Sequence, residues 1–232
     1  MEHGFLVVNK WLYDYAISII NRYGIDESHG IKHYFNVMNY AQQILVSEEI
    51  KSKTLIEGST LSRYDVELVV LDAAFCHDLI DSKYVNEEQA TKDLVNVLEK
   101  HNYGRPRVDI LIYIIKNISY SKRIKRMGLG LPAFEDHPFK LVTQIVCDAD
   151  QLDGYDVGRC ILYQTIKHDH LQEPERTKKI RGWIRTILEK RILMYKDKHM
   201  NFEISKRLAI PLHEEANNYL ITNLQDADLY DY

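Results

Sequence analysis

Three segments of the chain concentrate histidine and aspartate side chains that could bind a divalent metal ion. They are HGIKH at residues 29–33, HDLIDSK at residues 77–83 and DADQLDG at residues 148–154. Imidazole nitrogens and carboxylate oxygens together form mixed ligand sets that suit Mn²⁺, Fe²⁺, Co²⁺, Ni²⁺, Zn²⁺ or Mg²⁺. An ion held in this way lowers the pKa of a bound water and offsets negative charge on a phosphoryl group.

The middle segment places two ionisable residues at the end of a strongly apolar run, VELVVLDAAFC. His77 and Asp78 would be costly to bury side by side unless they were paired or bound to a metal. A divalent ion would take the imidazole and the carboxylate as ligands, each without its proton. The alternative is that the two residues end the helix and lie in solvent, and the pair alone does not decide the matter.

The first segment offers two histidines four positions apart, His29 and His33, which would share one face of a helix. Both could converge on one ion, or one could be a ligand while the other supports it. The alternative is a pair of partly buried histidines that are held by hydrogen bonds.

The third segment has three carboxylates in six residues, behind the apolar approach LVTQIVC. Asp148 and Asp150 differ in direction by about 200° around a helix, so they would point to different sides. If the helix continues, Gly154 and Gly158 leave a groove beside Asp150 that would suit a substrate. The alternative is an interrupted helix in which the glycines serve turns.

The elements that must position these segments are predicted to be helices, which makes the fold all-α. Apolar residues recur mostly at three- and four-residue spacing, and strand-like alternation is hardly visible. Residues 47–60 and 120–137 are predicted as loops, and residues 226–232 as a frayed tail. The predicted helices cover about 8–23, 28–46, 66–80, 86–101, 106–118, a stretch from Pro138 through DADQLDG, 177–196 and 202–224.

Composition narrows the class of protein. The chain has 232 residues, 45% of them hydrophobic, and a net charge of −4, which argues against nucleic acid as a partner. Three separated cysteines in apolar runs do not form a disulfide pattern. The first residues lack the features of a signal peptide, and no apolar run reaches the roughly 18 residues of a membrane span. We therefore expect a cytoplasmic protein with no membrane partner and a single domain over residues 1–232.

In order along the chain, the motifs HGIKH, HDLIDSK, SYSK and DADQLDG resemble those of the HD superfamily of metal-dependent phosphohydrolases. They are most similar to the bacterial branch with the pattern HDxxH…HDIxDxK…SxSK…DADRLDxxG. The resemblance covers about residues 29–170, and it departs at Gly30 and Gln151, where Asp and Arg are common. It implies an HD-domain helical bundle whose metal site lies between helices, with a motif-bearing core of about residues 26–170.

The resemblance also implies roles for individual residues. Asp81 follows His77 by four positions and Asp78 by three, so it is the candidate general acid or base; the alternative is a turn carboxylate. One divalent metal ion is expected, and further residues are assigned to substrate binding or to supporting the ligands. The metal ligands are His33, His77, Asp78 and Asp150; the substrate-binding residues are Lys83, Lys122 and His29; the supporting residues are Asp148 and Asp153.

The leading functional hypothesis is hydrolysis of a small phosphorylated molecule, a nucleotide in the first instance, as by a nucleoside triphosphate pyrophosphohydrolase. One alternative is a two-iron HD-domain oxygenase, for which His101 and His137 are the available extra histidines. Another is a non-catalytic, nucleotide-binding regulatory module, although four retained ligands argue against it. The polar stretch with His168, Asp169 and His170 is interpreted as solvated. The oligomeric state is left open.

Overall fold

The periodic apolar residues form helices over most of residues 8–230, the part of the chain that the computed structural model describes. Within that part there are no strands, and no helix is long and apolar enough to cross a bilayer. The all-α prediction is confirmed, whereas the interpretation of the N-terminal segment concerns residues 1–7, which lie outside the described ones. The α-helices are α1 Lys10–Tyr23, α2 Ile31–Leu45, α3 Glu48–Lys51, α4 Arg63–Cys76, α5 Glu87–Lys100, α6 Arg105–Asn117, α7 Tyr120–Gly128, α8 Lys140–Asp153, α9 Val157–Lys167, α10 Glu175–Lys190 and α11 Glu203–Asn223.

Local signals in the sequence set the ends of several helices. The Ser62 hydroxyl accepts a hydrogen bond from the Asp65 backbone N–H, and the Asp65 side chain accepts from the Ser62 backbone, which completes a capping box for α4. The Asn86 side chain caps α5 in the same manner. Helix α1 ends at Gly24, whose positive φ of 61° is a conformation that glycine adopts without strain.

Helices α2, α4 and α8 form the centre of the bundle. Helix α2 packs along both α8 and α4, and α4 also packs against α6. Tyr34, Phe75 and Ile145, one from each central helix, are fully buried. The rings of Tyr34 and Phe75 meet edge to face with their centroids 5.8 Å apart. Burial of this apolar surface brings the three motif-bearing segments to one place.

Two helix ends near the motifs differ from the sequence prediction. Helix α4 ends at Cys76 rather than near Ile80, and a hydrogen-bonded turn carries the chain through the rest of HDLIDSK. Helix α8 ends at Asp153, and Asp156 caps the new helix α9. The interrupted-helix alternative is therefore correct, and the glycine groove of a continuous helix does not form.

Two polar segments that the sequence predicts as loops contain short helices. The predicted loop 120–137 contains α7, which begins where the Ser119 hydroxyl caps the N–H of Lys122. Six of its nine residues, YSKRIKRMG, are polar or glycine, so its apolar periodicity is weak. The predicted loop 47–60 likewise contains α3. The predicted helix 177–196 is shorter in the structure and ends at Lys190. The chain then forms a 3-10 turn over Ile192–Met194 and a π-helical turn over Tyr195–His199.

The C-terminal segment is also more ordered than predicted. Residues 226–230 lie along α10, where the Arg185 guanidinium donates to the Ala227 carbonyl at 2.6 Å. The Tyr230 N–H donates to the Thr186 hydroxyl at 2.8 Å, and the Tyr230 ring stacks on Trp183. The frayed-tail prediction is wrong for these five residues, while residues 231–232 lie outside the described part.

Candidate metal centre

His33 on α2, His77 directly after α4 and Asp150 on α8 bring their ligand atoms together. The two histidine Nε2 atoms are 2.9 Å apart, and the Asp150 Oδ1 atom lies 3.6 Å from that of His33 and 3.7 Å from that of His77. Within the described residues, these three side chains are the group whose ligand atoms lie close enough together to hold one metal ion. Residues separated by more than a hundred positions thus form one site.

Asp78, the fourth predicted ligand, lies beside this group and outside it. One of its carboxylate oxygens is 3.4 Å from His33 Nε2, and the other is 3.4 Å from His77 Nε2. Both imidazoles are buried, while 15% of the Asp78 side chain and 30% of the Asp150 side chain remain exposed. The nitrogens therefore form the inner wall of the site, and the carboxylates face its opening.

The hydrogen bonds behind the two imidazoles fix which nitrogen carries a proton. His77 Nδ1 lies 2.8 Å from the Ala74 carbonyl oxygen, which only accepts, so this nitrogen donates. His33 Nδ1 lies 2.6 Å from a carboxylate oxygen of Asp153. Burial raises the pKa of Asp153, but His33 and Arg159 outweigh it, so the pKa is lowered and the ionised carboxylate accepts. A neutral imidazole then has a lone pair on Nε2.

Two Nε2 lone pairs that face each other at 2.9 Å repel unless a proton or a metal ion lies between them. Two nitrogens bound at right angles to one ion, each about 2.1 Å from it, would be about 3.0 Å apart. The donor set, two neutral imidazoles and two carboxylates, therefore fits a divalent ion.

The electrostatics of the site favour positive charge at this point. Burial raises the pKa of Asp78, but His77 and His33 together hold it well below its usual range. Burial and Arg159 lower the pKa of His33, but hydrogen bonds to Asp153 and Asp78 raise it overall. A proton is therefore attracted to the same place that would hold the metal, and the two would compete for it.

Asp153, predicted to support the ligands, lies behind His33 and has a further partner that no sequence motif contains. Its carboxylate accepts from His33, from the Asn36 amide at 2.8 Å and forms an ion pair with Arg159 at 3.3 Å. The Arg159 guanidinium also donates to the Ser28 carbonyl at 3.3 Å. No motif contains Arg159, so only its position two residues into the capped helix α9 could have suggested a role.

Asp148 points away from the metal ligands, as its angular separation from Asp150 predicts. Its carboxylate accepts from the Asn201 backbone N–H at 2.9 Å, the Asn201 amide at 2.6 Å and the Phe202 backbone N–H at 3.2 Å. It therefore anchors the start of α11 instead of supporting the ligands directly.

A cavity of about 630 Å³ opens beside the cluster, and all four predicted ligands line it. Asp81 lines it from the turn after α4, where its carboxylate accepts from the Lys83 backbone N–H at 2.9 Å. Lys122 lines it from α7 and pairs with Glu87 at 3.0 Å. The hydrogen bond to Lys83 is the turn role that was the alternative for Asp81. Because the Asp81 carboxylate also lines the cavity, it can face a substrate as well.

His29 is in the cavity wall and not in the metal cluster. Its Nδ1 atom lies 2.8 Å from the Ser28 hydroxyl and 3.1 Å from the Tyr84 hydroxyl. Its Nε2 atom lies 3.3 Å from the Lys83 ammonium nitrogen. This position, beside a lysine on the cavity surface, is consistent with the predicted contact to substrate.

The far part of the cavity contains residues that sequence reasoning missed. They come from α9 and α10 and from the turn that follows α10, outside every motif, and they combine aromatic, amide and cationic side chains. The missed lining residues are Arg159, Tyr163, Gln164, Lys167, Trp183 and Arg191.

The other histidines considered from the sequence lie elsewhere. His101 stacks on Trp11 with ring centroids 4.6 Å apart, and His137 stacks on Tyr113 at 3.9 Å. Neither lines the cavity, so the extra ligands that a two-iron centre requires are not at the cluster. His168 is 6% exposed, so the expectation that it is solvated is wrong, although its neighbours Asp169 and His170 are exposed.

Comparison with known proteins identifies a solved structure with a similar fold but no protein of known activity. No family model matches the chain, and no curated protein matches it. A crystal structure of a Lactobacillus plantarum protein, a Northeast Structural Genomics target, aligns with a TM-score of 0.59 at 19% sequence identity. The alignment covers 93% of this chain and 98% of that protein. The same arrangement of helices therefore occurs in an experimentally determined structure.

Proposed function

We propose that the chain is a metal-dependent phosphohydrolase of the HD type. Its substrate would be a small phosphorylated molecule, with a nucleotide as the leading candidate. The observation that carries the proposal is the pair of imidazole Nε2 atoms 2.9 Å apart, each oriented by a hydrogen bond from its other nitrogen and flanked by Asp78 and Asp150. A metal ion in place of a shared proton would satisfy both nitrogens, and the cavity beside them has room for a nucleotide.

The chain would hold a divalent ion with His33, His77, Asp78 and Asp150. When bound, such an ion supplies an acidified water and positive charge for a phosphoryl oxygen. The remaining chemistry belongs to the cavity wall. Asp81 lines it beside the cluster, where a carboxylate can take a proton from the attacking water or return one to the leaving group.

Cationic side chains along the cavity would bind the phosphates. The Lys83 ammonium lies 3.3 Å from His29 and 4.2 Å from the centroid of the Tyr163 ring. The Lys122 ammonium is held by Glu87 at 3.0 Å and is half exposed. Both amines can donate to phosphate oxygens, and their charges offset that of a polyanionic substrate.

The test is a hydrolysis assay on the purified chain with nucleoside mono-, di- and triphosphates and each of Mn²⁺, Co²⁺, Ni²⁺, Zn²⁺ and Mg²⁺. Release of phosphate and of pyrophosphate is measured separately, which identifies the bond that is cleaved. D150N removes a ligand, and D169N is the matched control because Asp169 is exposed and outside the cavity. Absence of turnover with every pair of metal and substrate, or equal rates for the two variants, would contradict the proposal.

A further inference from the structure

The part of the cavity between α9 and α10 has a buried polar group that the metal cluster does not explain. Gln164 lines the cavity and is 1% exposed, and its amide oxygen has no hydrogen-bond partner within residues 8–230. Buried polar groups are nearly always hydrogen-bonded, so this unpartnered oxygen on the cavity wall points to a ligand that completes the site.

An aromatic surface lies in the same part of the cavity as the Gln164 amide. Trp183 of α10 lines the cavity, and the ring of Tyr230 stacks on it with centroids 5.5 Å apart and an interplanar angle of 22°. The Lys167 ammonium lies 5.2 Å from the Trp183 ring centroid. Because Tyr230 occupies one face of the indole, the face next to Lys167 is the one that a flat ligand could reach. Lys167 is exposed and flexible, so it can move aside.

A row of positive charge connects this surface to the metal cluster. The ring of Tyr163 lies between two ammonium groups, that of Lys83 at 4.2 Å and that of Lys167 at 5.9 Å from its centroid. Within the described residues neither lysine forms an ion pair with a carboxylate. The two amines are therefore available to a polyanion that extends from the cluster towards Trp183.

We propose that the Trp183 end of the cavity is a recognition site for the base of a nucleotide whose phosphates lie along Lys83 and Lys167. The base would stack on the indole, and an N–H at its edge would donate to the amide oxygen of Gln164. Stacking of a base on an aromatic side chain is favourable for any base, whereas the amide distinguishes bases by their edges. This inference rests on the proposed function, since it names the substrate class of the same cavity.

Binding can be followed without turnover. The chain has two tryptophans, so W11F leaves Trp183 as the single indole fluorophore. The protein with Mn²⁺ is titrated with α,β- and β,γ-methylene nucleoside triphosphates of the four common bases, whose carbon bridges resist cleavage, and with inorganic tripolyphosphate. The stacked base is expected to quench Trp183 emission, whereas tripolyphosphate, which has no ring, should bind without comparable quenching.

The amide contact is tested with Q164L against Q172L, in which an exposed glutamine outside the cavity is replaced. Calorimetry of Q164L is expected to give about tenfold weaker binding of the best nucleotide and unchanged binding of tripolyphosphate, because only the base loses a partner. Leucine leaves no unsatisfied oxygen, so the melting temperature of Q164L should not fall. Q172L should bind both ligands as the parent does.

Equal weakening of both ligands by Q164L, equal quenching by both, or no binding of any nucleotide at millimolar concentration would overturn the base site. Failure of the proposed function has a different signature. In that case the nucleotides still bind and quench Trp183, yet no phosphate or pyrophosphate is released from the corresponding natural nucleotides.

Discussion

The two ends of the cavity satisfy their polar groups in opposite ways. At the cluster end, Asp153 of α8 accepts from His33 and Asn36 of α2 and forms an ion pair with Arg159 of α9. At the α9–α10 end, the buried oxygen of Gln164, which lines the cavity, has no partner in the described chain. If the proposed function is correct, the first end holds a small ion and the second is completed by a larger ligand.

The largest difference between the two ends should come from removing a ligand. H77A removes one of the two facing nitrogens, and activity is expected to fall by more than about a hundredfold. Mutation of a residue that only supports a metal ligand already lowers metal affinity or activity about 10–100-fold, and His77 would be a ligand itself. Metal content per chain, measured by mass spectrometry after dialysis, should fall with it. H170A is the control, since His170 is exposed and lies outside the cavity. Full metal content in H77A would show that the cluster is not the binding site.

Removing the support behind a ligand should have a smaller effect of the same kind. D153N replaces the carboxylate that accepts from His33 Nδ1, so the imidazole loses its fixed orientation and part of its basicity. Metal affinity is expected to fall about 10–100-fold. Because the four ligands remain, activity should largely return at saturating metal, which a general loss of folding would not allow. Unchanged affinity in D153N would remove the argument that hydrogen bonds prepare the cluster.

Two carboxylates near the C-terminal end of α4, Asp72 and Asp78, give a second comparison. The imidazoles hold the pKa of Asp78 well below its usual range, whereas burial raises that of Asp72 to about 6 although Tyr103 and Arg107 lower it. The Tyr103 hydroxyl donates to Asp72 at 2.6 Å but does not offset the burial. Ionising Asp72 therefore destabilises the fold.

D72N should remove that pH dependence. Since the pKa of Asp72 is higher in the folded chain than in the unfolded one, stability is lost as pH rises from about 4 through 6, and the loss is complete above that. Between pH 4.5 and pH 7 the free energy of unfolding of D72N should rise by about 2 kcal/mol relative to the parent. Urea unfolding with a chelator present measures it, with the exposed Asp109 as the D109N control. If the difference in unfolding free energy between D72N and the parent did not change with pH, the raised pKa of Asp72 would be contradicted.

The cluster end of the cavity was predictable from the sequence, and the other end was not. His33, His77, Asp78 and Asp150 carry unusual chemistry at recognisable spacing, and the apolar runs beside them indicate which helices pack together. The side chains at the other end, such as Gln164 and Trp183, are ordinary residues of amphipathic helices. Their role depends on how α9 turns after Asp153 and which face of α10 it meets, and neither is set by local sequence.

The C-terminal segment illustrates the same limit. Residues 226–230 form an acidic, tyrosine-containing stretch that suggests fraying, but they fit on α10 because Gly182 has no side chain. A Cβ atom there would lie 2.7 Å from the Asp228 carbonyl oxygen and would overlap the Tyr230 ring. One glycine in the middle of a helix is a weak signal, and its meaning appears only when the segment that crosses it is known.

G182A is the smallest expected change in stability and the sharpest test of how the α9–α10 end is held. Alanine favours the helix by about 1 kcal/mol but displaces the segment that crosses it, so the melting temperature should change little. In the W11F background, loss of the Tyr230 ring should alter Trp183 emission, and nucleotide affinity should fall while metal affinity at the cluster is unchanged. G128A is the control, since a Cβ at Gly128 meets nothing within 4 Å. If G182A weakens the metal as much as the nucleotide, the two ends of the cavity are not independent.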